Sequence, residues 1–281
     1  VSGYATKRWD TQLIQQADVI PTIEFISKLL NINVADLHPV GSTGKMYVSG
    51  DIDLAIDVVR YSPKYIQNAL ENHLIFGKHN RGVNIDSYPI PICGDTERLV
   101  QVDFMFTSSP EWAQFAYYTG EMNSHYKGAV RTILLQAIAT TINEPDIDYF
   151  EYDADDQLMI RMGRVFDLNI GLRRIFQYRP KRKDGKGYLK RMKSIDSNEY
   201  RKMFPDSWTL PTTASTSDDP QTALNIMFGH SNVKITDVET AEQVLELIGK
   251  FDIARQTKTM EYARLRAKEL KDKIQLPPDL L

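Results

Sequence analysis

The sequence predicts an α+β chain: a mixed α/β half over residues 1–145, then a β-rich basic segment and a helical C-terminal region over residues 146–281. Hydrophobic spacing carries the first part of that expectation. Asp51–Val59 and Leu99–Phe106 alternate with period two, as half-buried strands do, whereas Thr11–Leu30 and Ser124–Asn143 repeat apolar residues near every 3.6 positions. Charge carries the second. Arg173–Lys193 holds ten Lys or Arg and one acid, a local +9 in a chain of net charge −3, so the remaining residues sum to −12. Such a concentration of cations is the footprint expected of polyanion binding.

In chain order, Thr11–Leu30 reads as two short helices or one kinked at Pro21, and Leu37–Gly41 enters a glycine turn. Asp51–Val59 is a strand with Ile52, Leu54, Ile56 and Val58 on one face and Asp51, Asp53, Ala55 and Asp57 on the other. Pro63–Leu74 reads as a helix, Val83–Ile92 and Leu99–Phe106 as strands joined by a turn at Gly94-Asp95, and Glu111–Tyr118 as a short aromatic helix. Beyond Pro145, Tyr149–Tyr152 and Leu158–Phe166 read as strands around an acidic turn, Asp153–Asp156. Helices follow at Asp196–Met203, Gln221–Phe228, Asp237–Ile248 and Asp252–Ile274; Ser217 or an adjacent Asp is the N-cap of the second.

Composition excludes several classes. No stretch approaches the roughly 18 uncharged apolar residues that a membrane-spanning helix needs. One cysteine, Cys93, forms no intrachain disulfide, and the polar Val1–Asp10 lacks the apolar core of a signal peptide, so a soluble cytoplasmic protein is the expectation, with Cys93 an inert buried or half-buried thiol. The five histidines show no zinc spacing, and Gly41–Lys45 lacks the spacing and the Ser/Thr of a P-loop. Trp112 and Phe115 read as core, and a surface or packing role outweighs substrate contact for His125 and Arg131.

The chemistry concentrates in Gly41–Asp57, GSTGKMYVSGDIDLAID. Period-two geometry puts Asp51 and Asp53 on one strand face about 7 Å apart, a separation suited to a pair of magnesium ions, which two-metal phosphoryl-transfer sites hold ~3.5–4 Å apart. Gly41 admits a phosphate close to the backbone and Ser42 can donate to it. Asp103 in VQVDFMF shares a face with Gln101 and Met105, opposite Val102, Phe104 and Phe106. A carboxylate in so apolar a strand needs a metal or a partner to offset its burial, and it completes the cage.

These residues resemble the DNA polymerase beta-like nucleotidyltransferase superfamily: G-S, then D-x-D, then a third aspartate on a later strand. Ser49-Gly50-Asp51-Ile52-Asp53 is similar to the S-G-D-x-D of the family X branch, and Tyr117-Tyr118-Thr119-Gly120 to its Y-F-T-G. The resemblance spans roughly residues 35–142. It implies a polymerase beta-like palm in which Asp51, Asp53 and Asp103 bind two Mg2+ ions, Mn2+ being a substitute. It also implies that Gly41, Ser42, Lys45, Ser49 and Gly50 meet the triphosphate, and that Tyr117, Tyr118 and Gly120 lie at the incoming sugar. The implied activity moves a nucleoside monophosphate from an NTP or dNTP to an acceptor hydroxyl. The 3′-hydroxyl of RNA or DNA is the leading acceptor, and because no helix-hairpin-helix module precedes Gly41, extension without a template is favoured. Lys181, Arg182, Lys183, Lys186, Lys190 and Arg191, with the basic helix Arg264–Lys273, are then the nucleic-acid contacts. Transfer to a protein side chain or small molecule is the alternative, and a catalytically idle nucleic-acid-binding module the third reading.

Overall fold

A computed structural model describes residues 10–80, 84–118, 126–142, 159–179, 193–195, 217–229, 232–268 and 274–281. The expected strand at Tyr149–Tyr152, turn at Asp153–Asp156 and helix at Asp196–Met203 lie outside the described residues. Within them the chain is α+β, and no helix is long and apolar enough to cross a membrane.

The first half is built on a mixed five-stranded sheet. Its strands are β2 (His38–Pro39), β4 (Asp51–Asp57), β5 (Lys78–Asn80), β6 (Ile85–Ile92) and β7 (Asp95–Thr107), in the spatial order β2-β4-β7-β6-β5. β4 and β7 are parallel and every other pair in this sheet is antiparallel. A separate two-residue pair, β1 (Ile14–Gln15) with β3 (Val48–Ser49), fastens the segment before β4 to the N-terminal part of the chain. β4 ends at Asp57, short of the expected Val59, and Val58 is exposed, but within the strand the alternation is as expected: Ile52, Leu54 and Ile56 enter one hydrophobic core with Val100, Val102 and Phe104, and the aspartates face the other way.

That core is closed by α1 (Gln16–Leu30) and α2 (Pro63–Glu71). α1 is one helix with Pro21 inside it. Interior proline costs about 3 kcal/mol, but Val19, Ile23, Ile26 and Leu30 continue one buried face through it, and each such side chain contributes about 1.5–3 kcal/mol. The helix ends at Asn31, in the left-handed region (φ 53°), where Asn is tolerated better than most residues. α2 stops at Glu71 rather than Leu74, and the Ile75 amide donates to the Leu70 carbonyl (3.0 Å) across Leu74, itself at φ 60°.

Two details of the β6–β7 hairpin correct the sequence reading. The turn is at Cys93-Gly94, one residue earlier than expected, with both residues at positive φ (53° and 86°) and Ile92 opposite Asp95. A primed two-residue turn matches strand twist and demands this conformation at both positions; the Cys93 amide is held by Thr22 Oγ1 (3.1 Å). Cys93 is exposed, not buried. β5 was not legible because all three of its residues are exposed and carry no apolar alternation.

The longer helices that remain share a second core with one hairpin. α3 (Pro110–Ala116) and α4 (Gly128–Thr140) pack with the β8–β9 hairpin (Met159–Asp167, Gly171–Arg179) and with α5 (Pro220–Phe228), α6 (Ala241–Ile248) and α7 (Ile253–Ala267). Trp112, Phe115 and Phe166 cluster there, as expected for the first two. Caps set the helix starts: Asp219 accepts from the Thr222 amide (2.7 Å), Thr240 and Gln243 form a capping box, and Asp252 accepts from the Arg255 amide (2.9 Å). The first residues of the basic stretch fall in β9, and β10 (Lys193–Ile195) pairs with the same strand.

Leu74 offers a test of this backbone. Its side chain is 79% exposed, so Leu74→Gly loses little packing and relieves left-handed strain. The expected gain is about 0.5–1 kcal/mol in chemical denaturation, with no gain for Leu74→Ala; an unchanged or lowered midpoint for the glycine variant contradicts the assigned conformation.

Candidate metal centre

The parallel register of β4 and β7 sets Asp51 opposite Gln101 and Asp53 opposite Asp103. Three carboxylates from two strands therefore converge, each offering an oxygen within 4.8 Å of the others. Among the described residues this is the group of acidic, His or Cys side chains close enough to hold a metal ion. Asp51 is buried, and Asp53 and Asp103 are half-buried.

Electrostatics makes the cluster unfavourable without a cation. Burial, followed by the charges of Asp51 and Asp103, pushes the Asp53 carboxyl well above its ordinary range. Burial raises Asp103 too, but Ser87 and Gln101 oppose it by hydrogen-bonding its charged form. Gln101 Nε2 donates to both carboxylate oxygens, at 3.0 and 3.1 Å. An all-oxygen donor set of this kind suits a hard divalent ion such as Mg2+ or Mn2+.

The turn after β2 folds over the carboxylates. Gly41 sits at φ 61°, a conformation that favours glycine, and a Cβ there would lie 2.8 Å from an Asp53 carboxylate oxygen and push that carboxylate aside. Thr43 locks the turn to the strand: the Asp53 amide donates to its hydroxyl oxygen (2.8 Å), and the hydroxyl donates to the Asp53 carbonyl (3.3 Å). The far side of the loop is tied to α1 by Gln16, whose side chain donates to the Gly44 carbonyl (2.9 Å).

All of the expected nucleotide-site residues except Gly120 lie among the described residues. Gly41, Ser42 and Lys45 are in this turn, and Ser49 and Gly50 immediately precede Asp51. Ser49 is 6% exposed, and its Oγ has no hydrogen-bond partner among the described residues. Lys45 Nζ lies 3.7 Å over the Tyr118 ring. Tyr117 follows α3, and its hydroxyl donates to Asn169 Oδ1 (3.2 Å). Burial, then the charges of Asp167 and Asp53, push that hydroxyl up to about 12. Gly120 and all six basic residues, Lys181, Arg182, Lys183, Lys186, Lys190 and Arg191, lie outside the described residues. Arg131 is 1% exposed, which selects packing over the surface role that the sequence left open beside it. It donates to the carbonyls of Val238 and Phe115 and so ties the end of α3 to the C-terminal region.

Thr43, Ser87, Gln101 and Asn169 also belong to the site, beyond the residues that the sequence motifs mark. Gln101 had a signal, since it shares a strand face with Asp103. Ser87 opposite Asp103 is a fact of register between β6 and β7, and Asn169 next to Tyr117 is one of tertiary docking. Neither is written in local spacing. No protein-family model matches the chain, and no curated protein is significantly similar to it.

The carboxylate repulsion has a measurable sign. A carboxyl raised in the folded state makes that state bind more protons than the unfolded one, so stability falls as pH climbs from the ordinary value of 3.8 through the raised one. In EDTA the wild type is expected to lose stability over that window and Asp53→Asn to lose less. Mg2+ or Mn2+ should add about 2.7 kcal/mol at a hundredfold excess over Kd, with this gain removed by Asp53→Asn. Equal metal stabilisation of the two proteins would place the ion elsewhere.

Proposed function

We propose that this chain is a metal-dependent nucleotidyltransferase with a polymerase beta-like palm in residues 1–145. In this reading it transfers a nucleoside monophosphate from an NTP or dNTP to the 3′-hydroxyl of RNA or DNA without a template. The observation that supports the reading most is the Asp53–Asp103 register with Asp51 on the same face, under a turn in which Gly41, at positive φ, comes close to the Asp53 carboxylate. A structural role for the three carboxylates alone fits less well, because their placement raises the free energy of the folded state.

Asp51, Asp53 and Asp103 would hold two Mg2+ ions, or Mn2+ in their place, and when bound these ions supply charge neutralisation at the phosphates and acidify the acceptor hydroxyl. Asp103 takes the acceptor proton, its basicity set by burial against the Ser87 and Gln101 hydrogen bonds. The deprotonated oxygen attacks the α-phosphorus in line and pyrophosphate leaves. Ser42, Ser49 and Gly50 bind the β,γ-phosphates, and the unpartnered Ser49 Oγ is available to donate. Lys45 turns from the Tyr118 ring to the triphosphate. Tyr117 and Tyr118 flank the sugar. Residues 146–281 bind the acceptor, with Lys181, Arg182, Lys183, Lys186, Lys190 and Arg191 along its phosphates.

Labelled NTPs and dNTPs, offered with RNA, DNA and protein acceptors, test the reaction. Asp51→Asn or Asp103→Asn is expected to lower transfer about a thousandfold, roughly 4 kcal/mol of transition-state stabilisation; full turnover in either sinks the assignment.

The acceptor has its own test. Changing Lys181, Arg182 and Lys183 together to Gln should lower the slope of log affinity for nucleic acid against log salt by up to about 2–3 units, while triphosphate binding stays put. Weak nucleic-acid binding from the start, with label entering a protein or small-molecule acceptor, would select the alternative reading, transfer of a nucleotide such as AMP to a side chain or small molecule.

A further inference from the structure

The end of β8 and the turn that follows it, residues 167–170, are fastened to the first half of the chain through their backbone. Trp112 Nε1 donates to the Asp167 carbonyl (2.7 Å) and the Thr107 hydroxyl to the Asn169 carbonyl (2.8 Å). Within the turn the Asn169 amide donates to Asp167 Oδ1 (3.0 Å). None of these bonds uses the Asn169 side chain. Its Oδ1 instead accepts from the Tyr117 hydroxyl (3.2 Å).

Tyr117 is well placed to make that bond matter. It packs against the buried cluster of Val40, Ala55, Met105 and Ala113, and against the second core as well. Ala55 and Met105 are the next residues along the carboxylate face from Asp53 and Asp103, two positions on in each strand. With its proton committed to Asn169, the phenol oxygen presents only acceptor lone pairs to anything bound beside it. A group that donates there is favoured, and one lacking a hydroxyl at that place leaves a desolvated acceptor unsatisfied.

We propose that Asn169 is a positioning residue for Tyr117, fixing the phenol as a hydrogen-bond acceptor for the ribose 2′-hydroxyl and so favouring ribonucleoside over deoxyribonucleoside triphosphates. The inference rests on the nucleotidyltransferase reading and deepens it. It also gives the region beyond residue 145 a part in nucleotide selection besides acceptor binding. Asn169→Ala keeps every backbone bond of the turn and removes only the side-chain acceptor, whereas Tyr117→Phe removes the hydroxyl and keeps the ring.

The test is calorimetric binding of α,β-imido ATP and α,β-imido dATP with Mg2+ to the wild type, Asn169→Ala, Asn169→Asp, Tyr117→Phe and the Asn169→Ala/Tyr117→Phe double variant. The wild type is expected to favour the ribonucleotide. Asn169→Ala and Tyr117→Phe should each lower that preference about three- to tenfold, as loss of one hydrogen bond does. The double variant should lose no more than either single one, because both changes break the same bond. Asn169→Asp retains an acceptor and should retain the preference. An unchanged preference in Asn169→Ala, additive losses in the double variant, or a wild type that binds both nucleotides equally overturns the inference and leaves the nucleotidyltransferase reading standing. A wild type that binds neither nucleotide overturns that reading, and the inference with it.

Discussion

The parallel pairing of β4 with β7 decides what this molecule can do, because it is the pairing that sets Asp53 beside Asp103. A slip of one residue in β7 would turn Asp103 into the hydrophobic core and bring Val102 or Phe104 to the carboxylate face. The register is held by what lies behind it: Ile52, Leu54 and Ile56 interlock with Val102, Phe104 and the helices α1 and α2. Burial on that side, at about 1.5–3 kcal/mol for each large side chain, is strong enough to keep three mutually repelling carboxylates together on the other.

The loops extend the same constraint to the mouth of the site. Gly41 closes on Asp53 because no side chain intervenes, and Thr43 clamps the turn to the strand on both its donor and acceptor sides. On the opposite flank, α3 delivers Tyr117 and Tyr118, and the buried Arg131 fixes the end of that helix from the second core. The two cores thus meet at α3 and at the β8–β9 turn, and the carboxylate face lies against that junction.

Much of this was legible in the sequence, and the reason is periodicity. DIDLAID and VQVDFMF state by alternation which residues are buried and which aspartates face away, and those faces are the ones observed. Helical periods located α1 and α4 within about five residues, and α7 starts where expected but ends at Ala267, short of the expected Ile274. What local spacing does not encode is pairing between distant segments. Nothing around Ser87 says that it lies across from Asp103, and nothing around Asn169 says that it meets Tyr117. The hairpin turn was misplaced by one residue because Asp95 looked like a turn residue, whereas Cys93 takes the left-handed position with Thr22 holding its amide. Lys78–Asn80, a polar edge strand, carries no alternation to find.

In the proposed function, Asp51, Asp53 and Asp103 form a divalent-metal centre for nucleotidyl transfer. Anomalous scattering from crystals grown with Mn2+ and a non-hydrolysable nucleoside triphosphate tests it most directly. The account predicts two Mn2+ peaks bounded by these three carboxylates, with the triphosphate under the Gly41–Lys45 turn. Peaks elsewhere, or a triphosphate bound away from β4, would contradict it.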